Sequence, residues 1–421
     1  PLAMVGRLVL PVCFGLTISP LHGQPSAIED PKFWMPDGPV NAILVTNDTV
    51  YLGGDFSYVG PFTGPAALFD QATGQLQAAP PRIAGTVKAV LPDGGGGWFI
   101  GGSFKNIGTA AITNLAHLKP DLSLDTGWDA GVVGTAVNAL ALDSGRLYVG
   151  GQYTRIGGQL QSGLGAVNAS DGTLVGWNPQ FSGTAVNAMQ VSGGLLYVGG
   201  NFYSFGSSNR QHLAAISTST ALANAWDPAP DQQVFALAIS GNTVYVGGQF
   251  NTSIGTKAKQ RLAAVDATTG VANATWSPNP NGIVRALAVG ASAVYVGGDF
   301  TTISVQSRRG FAAIAPSPGI ATARALDLQL QSVGTVNLVR ALGLQGNSLY
   351  VGGSFTNALG AIRRLVVGID LTTVLPVPVP LATDFNGAAG AAFGPNALAS
   401  AGGMVLVGGD FISFGGVARQ R

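Results

Sequence analysis

An apolar or aromatic pair, then Gly-Gly, one variable residue and an aromatic, recurs eight times along this chain. The glycine pairs are Gly53-Gly54, Gly101-Gly102, Gly150-Gly151, Gly199-Gly200, Gly247-Gly248, Gly297-Gly298, Gly352-Gly353 and Gly408-Gly409. Successive first glycines are 48, 49, 49, 48, 50, 55 and 56 residues apart. Such regularity makes this a repeat protein, in which one supersecondary unit stacks on copies of itself. The fifth copy shows the unit. Val234 to Ile239 is an apolar run, Gly241-Asn242 turns it, and Thr243 to Phe250 carries the marker. A polar loop through Gly255 leads to the apolar Leu262 to Asp266, closed by Ala267-Thr268-Thr269-Gly270, and Trp276-Ser277-Pro278 ends the copy.

Four short apolar segments in about fifty residues, with no stretch of helical periodicity, predict four antiparallel strands per copy. The fold class is all-β, and the expected architecture is a β-propeller of four-stranded antiparallel blades, with eight repeats as eight blades. The alternative is seven blades plus an extra partial repeat. Strands apolar on successive positions, such as Leu147-Tyr148-Val149, suit blades covered on both faces. Composition agrees: 62 Gly, 46% hydrophobic and only 10% charged residues. A helical solenoid lacks its 3.6-residue period here, and a parallel β-helix repeats at shorter intervals.

The glycine pair is read as a strand bulge or a close backbone approach. A phosphate cradle is rejected, because it should open a helix where here a strand continues. Trp34, Trp128, Trp177, Trp226 and Trp276 each precede a glycine pair by 19 to 22 residues, and four are followed by x-Pro. Proline assigns this segment to an outer strand, and the rings are expected to pack between blades. Leu328 and Phe385 stand near the expected places in copies six and seven, which lack the Trp.

Arg7 precedes an apolar run from Leu8 to Ile18 and a Pro-, Gly- and Ser-containing stretch from Ser19 to Ser26. Residues 1–26 therefore read as a signal peptide and 27–421 as a single propeller domain, secreted to the exterior or cell surface, with the periplasm as a further possibility. The run is too short for a membrane span, so no transmembrane segment is expected. Cys13, the single cysteine, falls within the signal, which leaves a mature chain without disulfide, thiolate ligand or cysteine nucleophile. The 21 Lys and Arg give a net charge of +1 and form no basic patch, so nucleic acid is not an expected partner.

At the C-terminus Arg419-Gln420-Arg421 stops where a third strand should start, by comparison with Arg261 before Leu262 and Arg364 before Leu365. The domain is thus expected to be C-terminally incomplete, with Phe33-Trp34 lent as a closing strand and Val405 to Phe411 left without a third strand beside it.

With these motifs in place, the chain resembles the bacterial secreted β-propeller repeats of the delta-60 type. The likeness is carried by Val244 to Phe250, by Arg261 to Asp266 and by Thr269-Gly270, and extends from about residue 33 to 421. Similar Gly-Gly-x-Phe units occur in fungal cortical polarity markers. The Asp-Ala-Thr-Thr-Gly turn with its following Trp is loosely similar to quinoprotein dehydrogenase blades, but the acidic metal ligands and vicinal disulfide of those enzymes are missing. The resemblance implies a fold and no established reaction.

Reactive residues are few. His212 takes the place of Arg261 and Arg364 and is read as a loop residue, while His117 lies inside the strand Leu115 to Leu118. Asp121, Asp125 and Asp129 are spaced unlike a calcium loop and are read as a solvated turn. Asp70, Asp266 and Asp370 are expected to cap their own turns. No catalytic residue, metal site or cofactor is expected. The candidate ligand-binding residues are those after Gly-Gly: Asp55, Ser103, Gln152, Asn201, Gln249, Asp299, Ser354 and Asp410. If these strand ends meet at a channel mouth they form a polar ring. The expected function is a monomeric, non-catalytic module that binds or scaffolds protein or glycan. The alternative is a polysaccharide hydrolase or lyase using the Asp residues of the ring.

Overall fold

A computed structural model describes residues 6–9, 34–36, 40–46, 49–54, 58–61, 64–78, 80–317, 326–331, 339–362, 365–372, 377–378, 385–386, 394–411, 413–414 and 417–418. All regular elements among them are strands. Copy three shows the sheet: an inner strand Val133–Asp143, a second strand Arg146–Ile156 and a third strand Leu164–Asn168. Ser144-Gly145 turns the first into the second, with Gly145 at φ 75°, where a side chain would be disfavoured. The second strand pairs antiparallel on both edges, placing Leu147 between Leu142 and Val167. Leu147, Tyr148 and Val149 are all buried, as expected of a sheet covered on both faces. The same three strands return in copies two, four, five, six and seven.

Both glycines of the marker are required by contact. A Cβ on Gly247 would lie 2.5 Å from Cγ1 of Val284, on the inner strand of the next copy, so the first glycine is where adjacent sheets meet. A Cβ on Gly248 would lie 2.5 Å from the Gln233 carbonyl oxygen of its own copy. That carbonyl immediately precedes a bulged inner strand, where the register slips between Val234 and Ala236. The same slip separates Val137 from Ala139, Val186 from Ala188 and Val284 from Ala286.

The fourth strand is shorter than expected in copies two to five, where it is one bridge: Leu118 with Leu124, Val167 with Leu174, Ile216 with Ala223 and Val265 with Ala272. The Trp-x-Pro segment that follows is not a strand. Asn273 Oδ1 accepts the backbone N–H groups of Thr275 and Trp276, a local turn that competes with the ladder. It sends the indole inward. Trp128, Trp177, Trp226 and Trp276 each donate Nε1–H to a carbonyl of the following copy, those of Ala169, Ser217, Asp266 and Ala315, at 2.8 to 3.0 Å. Their rings pack between copies, edge-on to Tyr148, Tyr197 and Tyr245 in the last three cases. Where copy six lacks the Trp, buried Leu328 joins Tyr295, Phe311 and Val351.

The last copy is where expectation and structure part. Its inner strand Pro395–Ala401 and second strand Met404–Gly409 are followed by Ala66–Asp70 as third strand and Leu76–Ala78 as fourth. Val405 pairs with Phe69 and Val407 with Ala67, so the expected unpaired edge does not exist. The reason is burial. Ala66, Ala67, Leu68 and Phe69 are apolar toward both faces and lie between two core clusters, one around Val87 and Leu406, the other around Tyr350 and Val405. Thr49–Gly54, the second strand of copy one, pairs instead with Gly6–Val9 and Val40–Thr46. Ile43 on that hairpin is 66% exposed. Trp34–Pro36 pairs with Tyr58–Pro61, whose other edge pairs with Val417–Ala418 of the last copy, so it shares a sheet with that copy without pairing with Met404–Gly409; Phe33 lies outside the described residues. Inner strands touch in chain order from Ile83–Pro92 onward, and Pro395–Ala401 lies against Ile83–Pro92.

Candidate functional site

Six of the eight residues after Gly-Gly are engaged first by their own copy. Ser103, Gln152 and Asn201 stand opposite Thr86, Ala136 and Ala185 in ladders that continue to Ile107, Ile156 and Phe205. Gln249 Oε1 accepts from Gln233 Nε2 at 3.1 Å. Asp299 takes the Arg285 guanidinium on both oxygens, with Nε at 3.0 and 2.9 Å and Nη2 at 2.7 Å. Asp410 caps the Gly394 N–H at 2.7 Å and lies 3.7 Å from Arg340 of copy seven. The Ser354 hydroxyl is buried without a hydrogen-bond partner among the described residues. Asp55 lies outside them.

Between copies, besides the indole bonds, polar contacts run through a row the sequence reading missed, the bulge residues of the inner strands. Lys88 Nζ reaches Asn138 Oδ1 at 3.5 Å, Asn138 donates to the Val186 carbonyl and Asn187 to the Val234 carbonyl. Arg285 lies over the Phe235 ring, and Arg340 donates to Asn396 Oδ1 at 3.2 Å. Burial pushes the Lys88 ammonium down and Asp410 opposes this. Burial likewise lowers the Arg340 guanidinium, again against Asp410. The signal was present in the sequence as the one polar or charged position inside an apolar inner strand, between Val and Ala in Val-Lys-Ala, Val-Asn-Ala and Val-Arg-Ala.

Copies five and six, like copies seven and eight, break the pattern of two to four. In five and six the second strands end at Gly248 and Gly298, whereas that of copy three runs on to Ile156. Side chains take over the missing ladder. Asp231 accepts the N–H groups of Asn251 and Thr252 at 3.1 Å, and Asn281 Oδ1 those of Thr301 and Thr302 at 2.8 and 2.9 Å. The shortened hairpins leave a cleft of about 350 Å³ between the two copies, lined by Gln232, Gln249, Asn251, Asn281, Arg261 and Ile283. Gly282 forms part of its wall, where a Cβ would lie 2.7 Å from the Asp299 carbonyl oxygen.

Arg261 holds the left-handed position that opens the third strand in copies two to seven, at φ 60°, shared with Asn114, Gly163, His212, Gly310 and Leu365. The counterpart of Arg261 in copy seven is thus Leu365, not Arg364, and the third strand there starts at Val366. Arg261 Nη1 donates to the Pro280 carbonyl at 3.1 Å, and among the described residues Arg261 makes no ion pair. At the same position in copy four, burial disfavours the cationic form of His212, whose Nδ1 has no partner among the described residues.

His117 bridges two carboxylates on the outer part of copy two, with Nε2 3.0 Å from Asp93 and Nδ1 3.0 Å from Asp125. Asp121, Asp125 and Asp129 each cap a local turn, and among the described residues no group of three or more His, Cys, Asp or Glu is placed to hold a metal. Asp70, Asp266 and Asp370 cap turns as expected. Burial alone would raise the Asp93 carboxyl, but bonds from His117, Gly95 and Gly97 outweigh it and the net shift is downward. The His117 bond lowers Asp125, and threonine hydroxyls and backbone N–H groups lower Asp70, Asp171, Asp266 and Asp370. A carboxyl whose folded pKa lies below its unfolded value stabilises the fold above the unfolded value and loses that contribution as pH falls through the folded one. The carboxyl contribution to Tm is therefore expected to hold above about pH 4 and to fall steeply below it. Asp93→Asn with Asp125→Asn should flatten part of that fall in a thermal melt series, and a Tm unchanged between pH 4 and 2 would refute the assignment.

No protein-family model matches the chain, and no curated protein matches it. Many solved structures do in fold. The WD40 β-propeller domain of Doa1 matches with a TM-score of 0.50 at 13% identity, over 82% of this chain and 96% of that one. The computationally designed Ika8 protein matches at TM-score 0.45 and 15% identity, over 90% of this chain and 96% of its own. The extracellular domain of a one-component system from B. thetaiotaomicron matches at TM-score 0.45 and 10% identity, over 89% of this chain and 45% of that one. No helix among the described residues is long and apolar enough to cross a membrane. With its antiparallel sheets stacked copy on copy and its inner strands in chain-order contact, the chain is an all-β protein of the β-propeller fold.

Proposed function

We propose that the chain is a non-catalytic binding module working outside the cytoplasm, with protein or glycan as its ligand on the face where the Gly-Gly-x strands end. The observation that carries this reading is the cleft between copies five and six, whose polar lining is four amides and one guanidinium. Such a lining hydrogen-bonds and orients a ligand without offering a nucleophile or a proton-transfer pair. The runner-up, a polysaccharide hydrolase or lyase, needs a free carboxylate, and Asp299, its best candidate, has both oxygens engaged by Arg285. The sheets of copies two to eight are read as seven blades of one closed ring, with Ala66–Asp70 completing the last, which supports the seven-plus-partial alternative. Export rests on the segment Arg7 to Ser26 and predicts an exported chain starting between about Gly23 and Ala27. Delta-60 kinship rests on the quoted motifs.

The deciding experiment applies the purified mature chain to glycan and protein arrays and to polysaccharide turnover assays, with and without Ca²⁺. Saturable binding without turnover is expected. Turnover abolished by Asp299→Asn would replace the binding reading with the enzymatic one.

A further inference from the structure

The cleft between copies five and six holds a guanidinium with no carboxylate partner, a condition it shares among the described residues with Arg146, Arg155 and Arg309, none of which lines a cleft with several amides. Arg210, Arg285, Arg308 and Arg340 each have a carboxylate within 4.0 Å, namely Asp227, Asp299, Asp327 and Asp410. Arg261 has none among the described residues and spends only Nη1, on the Pro280 carbonyl. Its Nε and Nη2 stay available as a parallel pair of donors. That edge of a guanidinium matches the two oxygens of a carboxylate, and charge-assisted bidentate pairs are among the stronger polar contacts.

The neighbouring groups specify what accompanies the carboxylate. Gln232 and Asn251 side chains make no hydrogen bond among the described residues, and Gln249 uses its carbonyl on Gln233 while its N–H donors stay available. A primary amide both donates and accepts, as a sugar hydroxyl does. A peptide would instead present a strand for pairing or apolar side chains for pockets, and the lining offers Ile283 as its one large apolar side chain. The volume of about 350 Å³ suits a small ligand segment and is far below what a protein face requires.

From this we infer that the cleft binds an acidic saccharide, a uronic-acid unit whose carboxylate pairs with Arg261 while its hydroxyls meet the amides of Gln232, Gln249 and Asn251. The inference rests on the binding-module reading and names its ligand class. The cleft exists because copies five and six replace the extended ladder with the side chains of Asp231 and Asn281, so the site belongs to these two copies and not to the repeat as such.

The test uses the full chain and titration calorimetry with three probes: a uronic-acid tetrasaccharide, the same oligomer with its carboxyls reduced to hydroxymethyl groups, and an acidic peptide of equal charge. Arg261→Gly is the informative variant, because Gly163 and Gly310 hold the same left-handed position in other copies, so the backbone tolerates it. The expected result is binding of the uronate, at least tenfold weaker binding of the reduced oligomer, and at least tenfold loss for the uronate alone in Arg261→Gly. Arg261→Lys, which keeps the charge and loses the fork, should fall between. Equal affinity for uronate and reduced oligomer, or no effect of Arg261→Gly, overturns the inference. Tighter binding of the acidic peptide replaces the saccharide by a protein ligand and overturns it too. Neutral glycans bound elsewhere on an array with no uronate binding would sink this inference and leave the binding module standing, whereas a chain that turns over the uronate would sink the module reading itself.

Discussion

Replacing Phe69 by alanine is expected to cost about 3–5 kcal/mol, the range for deleting a fully buried aromatic side chain. The effect should appear at the far end of the chain. Phe69 is fully buried, meets Tyr350 edge-on with ring centroids 5.7 Å apart, and shares a core cluster with Val405, Val407 and Phe411. Hydrogen exchange should therefore accelerate across Met404–Gly409, more than 330 residues away in sequence, together with Ala66–Asp70, since Val405 pairs with Phe69. Copies three to five should keep their protection, because repeat units lend stability mainly to their neighbours. Ile43→Ala is the control. Its counterpart in copy two, Val90, packs against the core, but Ile43 is 66% exposed, and its loss should stay within about 0.5 kcal/mol. Faster exchange confined to 49–54 after Phe69→Ala would mean that Ala66–Asp70 pairs within its own copy, and the proposed closure of the ring would fall with it.

Gly247→Val is expected to be strongly destabilising. The added Cβ would stand 2.5 Å from Val284 Cγ1 and 3.4 Å from Ala236 Cβ, so two adjacent sheets must separate to admit it. Overpacking a tight core costs about 1–3 kcal/mol, and the two further methyls of valine should carry the loss beyond that range. Denaturant unfolding should show it as a lower midpoint. Gly247→Ala combined with Val284→Ala should recover part of the cost, since the clash and its partner are then trimmed together. Gly193→Asn tests the opposite expectation: nothing lies within 4 Å of its Cβ position and asparagine tolerates φ 58°, so little change is expected. A stable Gly247→Val protein would show that neighbouring sheets are not in the contact described.

The order of the first three strands in copies two to seven, the structural role of the glycine pair and the packing of the tryptophans between copies were legible in the residues themselves. Each depends on chemistry within about fifty residues, and seven repetitions of the spacing separate it from chance. Turn caps were legible for the same reason: Asp266 reaches the N–H of Thr269 three residues on, and no distant element is involved. The bulge row was less visible. Lys88, Asn138 and Arg285 read as polar interruptions of an apolar strand until the inner strands are set side by side and their contacts across copies emerge.

Three features were decided only by the tertiary structure. Thr49–Gly54 and Met404–Gly409 carry the same marker, and either satisfies every local rule as a partner for Ala66–Asp70. Strand pairing is indifferent to distance along the chain, so the choice falls to whichever arrangement buries Leu68 and Phe69 on both faces, and Met404–Gly409 does so. The Trp-x-Pro segment looked like a strand because proline at a sheet edge is permitted. The carbonyl of the next copy, present only once copies stack, draws the indole inward and ends the ladder. The cleft follows from shortened hairpins in two adjacent copies, and neither sequence alone shows a cavity. It exists because Arg261 of one copy and Asn281 of the next are brought to the same gap by the stacking of sheets, a relation between neighbours that no single repeat encodes.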